Sequence, residues 1–95
     1  MTAARTTTDP VLAKLREELT DLDRHLVATV NKRLQLVQKL WRYKEASGIP
    51  VVDPGREEWL LLYLGRCNSG PLSHEGLKEL YAHILELTKV ELGGA

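Results

Sequence analysis

The chain has no phenylalanine, a single cysteine, only 5% aromatic residues and no surplus of charge of either sign. Each shortage excludes something. One thiol, Cys67, cannot close a disulfide within the chain, and with no cysteine or histidine at metal-ligand spacing it is not part of a zinc site. It is expected to be a small apolar residue, buried or half-buried. Thirteen cations balance thirteen anions. A general nucleic-acid or membrane-surface binder needs a basic excess, so both classes are disfavoured, although a local positive pocket is not. No apolar run approaches the roughly 18 residues of a membrane span. The opening MTAARTTTD lacks the apolar stretch of a secretory signal, so a cytoplasmic protein is expected. There is no glycine-rich phosphate loop. His25, His74 and His83 are too scattered for a metal site, and no serine sits in a nucleophile motif. Metal-assisted and nucleophilic catalysis therefore have no support, and no metal or cofactor is expected. The two-residue alternation of a β-sheet is also missing.

What is present is one long helical stretch, Asp9 to Gly48. Asp9 is a good N-cap and Pro10 fits the first helical position, where its missing N–H costs nothing. Gly48 supplies a left-handed stop and Pro50 forbids continuation. Pro10 to Ser47 makes a rod of about 57 Å at 1.5 Å per residue. A globule of 95 residues has a radius of gyration of only about 12–13 Å, so the rod is longer than the rest of the chain can cover. A second copy is the simplest cover.

The apolar seam of the rod reads Leu12, Leu15, Leu19, Leu22, Leu26, Val30, Val37 and Leu40. Arg33 falls on that seam, Lys44 lies at nearly the same angular position, and Arg16 flanks its start. The outer face mixes Lys14, Glu17, Glu18, Asp21, Asp23, Arg24 and Lys32, an ordinary solvated surface. Residues 1–8 read as a frayed, flexible tail.

Asp53-Pro54 repeats the start signal and opens a second helix to about Cys67. Its run Trp59, Leu60, Leu61, Leu62, Tyr63 and Leu64 is apolar all round and is expected to be buried all round. Asn68-Ser69-Gly70-Pro71 is a loop. Ser73 caps a third helix, with Leu72 and Leu77 at hydrophobic-staple spacing. The inner stripe there is Leu77, Leu80, Tyr81, Ile84, then Leu87 or Thr88, and Gly93-Gly94 ends it. The expected fold is all-α, with one very long helix and two shorter ones, over residues 9–92, followed by a short tail at 93–95.

The polar residues placed among apolar ones form a set: Arg16, Arg33 and Lys44 on the long helix, and Asp53, Arg56 and Glu57 at the opening of the second. Taken singly, each reads as a long side chain snorkelling to water, or as one half of an ion pair with Glu57. As a set, the cations exceed the carboxylates placed to neutralise them. Burying unpaired charge costs several kcal/mol per ion, roughly, and a small di-anionic ligand would offset it. Arginine forks suit carboxylates in particular.

Leu15-Arg16, Leu22-Asp23, Lys32-Arg33, Tyr43-Lys44, Gly48-Ile49-Pro50, Asp53-Pro54-Gly55-Arg56-Glu57 and Gly70-Pro71-Leu72-Ser73 together resemble the all-helical (AroQ-class) chorismate mutases, over about residues 10–92. The resemblance implies an intertwined homodimer of three-helix subunits, with the long helices paired and two active sites shared between copies. It implies that Arg16 reaches into the other copy's site, and that Arg16 and Arg33 bind the substrate carboxylates. Lys44 would bridge a carboxylate and the breaking ether oxygen. Asp53 and Glu57 would engage the ring-hydroxyl region, with Arg56 helping to bind or orient. Lys44, Arg33 and Glu57 would be the catalytic core of the set. The implied reaction is the pericyclic rearrangement of chorismate to prephenate, a step toward phenylalanine and tyrosine. It needs no nucleophile, metal or organic cofactor. It needs the enolpyruvyl arm held over the ring, and cations beside the oxygen that gains charge.

The chain departs from the family in one place. The family usually carries a Gln or Glu near the end of the last helix as a second contact to the ether oxygen. By helix register that position is Leu92, while Thr88, one turn earlier, keeps a hydroxyl where the family often has Ser. Glu91 is adjacent, about 100° around the helix, and a shifted helix end would bring it in. Three other readings follow. One is the same rearrangement on 4-amino-4-deoxychorismate. Another is a weakly active or regulatory module working with DAHP synthase, the first enzyme of the shikimate pathway. The third is a plain structural coiled-coil dimer. Isochorismate pyruvate lyase shares the fold but fits less well, because Glu57 is retained.

Overall fold

The computed structural model describes residues 9–93, which form three helices: α1 (Pro10–Ala46), α2 (Pro54–Cys67) and α3 (His74–Gly93). The chain divides into two compact units after Gln35, within α1.

The start of α1 follows from its first two residues. The Asp9 carboxylate accepts from the backbone N–H of Val11 at 2.8 Å and of Leu12 at 3.4 Å. Two of the four orphan donors are thereby satisfied, with Pro10 supplying no third. At the other end Ile49 N–H donates to Lys44 O at 2.8 Å and Gly48 N–H to Glu45 O at 3.3 Å. This is the paired 6→1 and 5→2 pattern of a Schellman stop, and it requires a left-handed residue. Gly48 takes that position with φ +70°. The helix ends at Ala46, one residue before the expected Ser47.

The half-buried positions of α1 are Val30, Arg33, Leu34, Val37, Trp41 and Lys44. The seam therefore passes through Trp41, not the expected Leu40, which is exposed. Positions 40 and 41 both fit the three-four spacing between Val37 and Lys44, and the covered side is the one that holds Trp41 together with Leu34, seven residues earlier. In the first unit Leu12, Leu15, Leu19, Leu22 and Leu26 are all exposed, Leu22 at 64%.

In the second unit α2 and α3 pack against each other. Asp53 caps α2: its Oδ1 accepts from Arg56 N–H at 3.1 Å, and Pro54 occupies the first turn. Asn68 closes the helix through its own N–H to Leu64 O at 3.0 Å. Its side chain then ties the following turn, donating to Leu72 O at 2.8 Å and accepting from Gly70 N–H at 3.0 Å. The Gly70–Pro71 peptide is cis. Ser73 caps α3, its Oγ accepting from Gly76 N–H at 2.9 Å. A Cβ at Gly76 would lie 2.9 Å from Leu72 Cδ1, so the staple between Leu72 and α3 closes over a residue that has no side chain.

Among the described residues only Leu77 and Thr88 are buried, at 6% and 5% exposure. Tyr81 and Ile84 complete the inner stripe of α3 as half-buried residues, while Leu80 and Leu87 are exposed. Four expectations are corrected here, the first being the place of Leu80 on that inner stripe. The apolar run of α2 is not buried all round: Leu60, Leu61 and Leu64 are half-buried, whereas Trp59 (48%), Leu62 (62%) and Tyr63 face outward. One neighbouring helix covers one face, and none of the described residues of this unit covers the opposite one. Cys67 lies on that outer face and is exposed rather than buried. α3 extends through Gly93, which was expected to open the tail. The expected tails at 1–8 and 94–95 lie outside the described residues.

Candidate active site

The candidate residues are described unit by unit. In the first unit Arg16 stands in the second turn of α1, along a shallow groove with Ala13, Lys14, Glu17 and Thr20. Thr20 Oγ1 donates to the Arg16 carbonyl at 3.0 Å, a bond within the helix that engages the backbone of Arg16 rather than its guanidinium. Arg33, further along, is half-buried. The seam thus carries a cation on its covered side, as its register predicts.

In the second unit Lys44 is half-buried in the last turn of α1. Its Nζ donates to Val51 O at 3.4 Å. That is long for an N–H···O bond, whose usual length is about 2.9–3.0 Å. The bond joins the helix to the 47–53 connector while leaving the ammonium with donors to spare. The connector leads directly to Asp53, so Lys44 and the first turn of α2 are linked through a few residues of backbone.

That first turn holds Asp53, Arg56 and Glu57. Asp53 is occupied as the N-cap, but an ionised carboxylate has about four lone-pair sites, so capping leaves acceptor capacity. Glu57 is half-buried, in the turn where the helix dipole favours an anion. The Arg56 guanidinium lies over the indole of Trp59, 4.5 Å from the ring centroid. Trp59 stacks on Tyr63 with centroids 5.0 Å apart and planes 10° from parallel. Hydrogen bonding to Cys67, and then the charge on that thiol, hold the Tyr63 phenol above its ordinary range. The sequence reading missed this ladder. Its signal was available in the spacing of 56, 59, 63 and 67, which places all four on one stripe of a helix.

On α3 Thr88 is buried and its Oγ1 donates to Ile84 O at 2.7 Å. The hydroxyl proton is therefore committed to the helix. Leu92, one turn on, is half-buried on the same side, and Glu91 is exposed. The helix continues unbroken past both, so its end is not shifted in the way that would turn Glu91 inward.

No group of three or more metal-ligating side chains occurs among the described residues. No helix among them is long and apolar enough to cross a membrane. In the second unit Lys44 and Arg56 supply cationic donors, and Asp53 and Glu57 supply carboxylate acceptors.

The family model for chorismate mutase type II matches residues 15–91. Two structures of chorismate mutase from Thermus thermophilus, forms I and II, superpose at 32% identity over 81% of the chain. Form I has a TM-score of 0.78 with 96% of that protein covered, and form II has 0.77 with 88% covered. The 4-amino-4-deoxychorismate mutase of Streptomyces venezuelae is 44% identical over 45 residues, which is 47% of this chain and 44% of that protein. The bifunctional chorismate mutase/prephenate dehydratase of Stutzerimonas stutzeri is 29% identical over 79 residues, 78% of this chain and 22% of that protein. The chain spans less than half the length of these curated relatives.

Proposed function

The chain belongs to the type II chorismate mutase family, and we propose that it catalyses the rearrangement of chorismate to prephenate as a cytoplasmic enzyme of phenylalanine and tyrosine synthesis. The observation that carries this reading is the family match across residues 15–91, a span that includes every candidate side chain except Leu92. The catalytic domain is residues 9–92, and two copies form a homodimer with shared sites. Exposure of the Leu12–Leu26 seam supports the second copy.

In this reading Arg16 of one copy and Arg33 of the other clamp the two substrate carboxylates. The clamp holds the enolpyruvyl arm over the ring, and the barrier falls because the entropy of that alignment is lost on binding rather than during reaction. Lys44 releases its long bond to Val51 and donates to a carboxylate and the ether oxygen, where negative charge grows as the C–O bond breaks. Glu57 and Asp53 receive the ring hydroxyl, Arg56 orients the bound anion, and Thr88 lends its lone pairs beside them. No proton changes owner and no covalent intermediate forms.

A second substrate has a specific observation in its favour. The Streptomyces relative named as a 4-amino-4-deoxychorismate mutase shares 44% identity over its matched segment. An amine in place of the ring hydroxyl would meet the same two carboxylates.

Purified protein is expected to consume chorismate and to sediment at twice the 10.7 kDa of the chain. Lys44→Ala is expected to lower kcat by about 10²–10³, the usual effect of removing one transition-state donor. Parallel assays with 4-amino-4-deoxychorismate rank the two substrates. Adding DAHP synthase tests whether full rate needs that partner. An absent rate under all of these conditions overturns the mutase reading.

A further inference from the structure

Trp59 belongs to no part of the site derived above, and packing among the described residues of this chain does not explain it. The inward face of α2 is supplied by Leu60, Leu61 and Leu64, while Trp59 stands 48% exposed. What the indole does touch is specific. Arg56 covers one face at 4.5 Å, and Tyr63 stacks nearly parallel at 5.0 Å. Three flat groups, the guanidinium, the indole and the phenol, are layered along the helix.

We propose that Trp59 is a positioning residue for Arg56, holding the guanidinium plane fixed by its face so that its edge donors are presented to the substrate. The claim rests on the mutase reading, in which Arg56 orients the bound anion. A guanidinium recognises a carboxylate along its N–H edge and an aromatic ring through its face, so one does not exclude the other. An arginine on an exposed helix face otherwise samples many rotamers, and binding must suppress them. Stacking on a tryptophan that is itself stacked removes that cost before the substrate arrives. Tyr63 acts one layer further out, by limiting rotation of the indole.

A double-mutant cycle read as separate kcat and KM tests this. Trp59→Leu is expected to raise KM about two- to fivefold, the range of an exposed cation–π contact, with kcat little changed. Trp59→Phe keeps a ring face and is expected to restore most of KM. In an Arg56→Ala background Trp59→Leu is expected to change neither constant. In a Trp41→Phe background the emission of Trp59 is expected to shift when Arg56 is replaced by alanine. That readout does not depend on the leucine variant folding. A wild-type KM in Trp59→Leu, an equal loss with or without Arg56, or an unchanged emission overturns the positioning role while leaving the mutase reading intact. A wild-type protein inactive on both substrates overturns the mutase reading, and the positioning role falls with it.

Discussion

Leu92 places a hydrocarbon one turn beyond a buried hydroxyl, on the half-buried side of α3. A leucine there offers no donor, and Glu91 beside it is exposed. In the mutase reading the ether oxygen then has Lys44 as its donor from this chain's candidate set, without a second from α3. Leu92→Gln adds an amide N–H at the same register and is expected to raise kcat by about tenfold or more, within the 10²–10³ that a full oxyanion donor contributes. Single-turnover kinetics check it. An unchanged rate would mean that the end of α3 does not lie beside the breaking bond. The residue scale also shows what spacing could and could not reveal. Arg33 and Lys44 were legible as covered cations because a seam register fixes them. The partner of Arg56 was not, because an aromatic within an apolar run reads as core until its exposure is known.

At the scale of the element, the start of α2 does two jobs with one side chain. Asp53 accepts from Arg56 N–H at 3.1 Å, and it is also the carboxylate proposed to meet the ring hydroxyl. The two roles separate by substitution. Asp53→Asn keeps an acceptor at the cap and is expected to leave stability within a few tenths of a kcal/mol, whereas Asp53→Ala is expected to cost about 1 kcal/mol. Urea midpoints at unchanged m-value measure this, and activity lost in the asparagine variant then reports the charge rather than the fold. The helix ends themselves were legible in the sequence to within a residue or so. Asp-Pro, Gly-x-Pro and Ser with a staple are local stereochemical instructions, and each capping bond formed where its residues stand. Burial was less legible, because it depends on what lies opposite. The α2 run has α3 against one face only, so half of an apolar stretch is left outward, and Cys67 with it.

For the whole molecule, two buried residues among those described are too few to hold a fold. Leucines from position 12 to 26 face water along α1, and burying a leucine side chain fully contributes about 1.5–3 kcal/mol. The proposed second copy supplies that burial, so stability and assembly become one equilibrium. The same helix carries Arg16 in its second turn and Lys44 in its last. If each site draws one of these from each copy, the unit of heredity and the unit of activity part company. A subunit bearing Arg16→Ala and another bearing Lys44→Ala are each expected to be inactive as homodimers. Refolded together in equal amounts, they are expected to recover roughly a quarter of the wild-type rate, since half the dimers are mixed and each mixed dimer rebuilds one intact site. Two defective alleles would then rescue one another in the same cell.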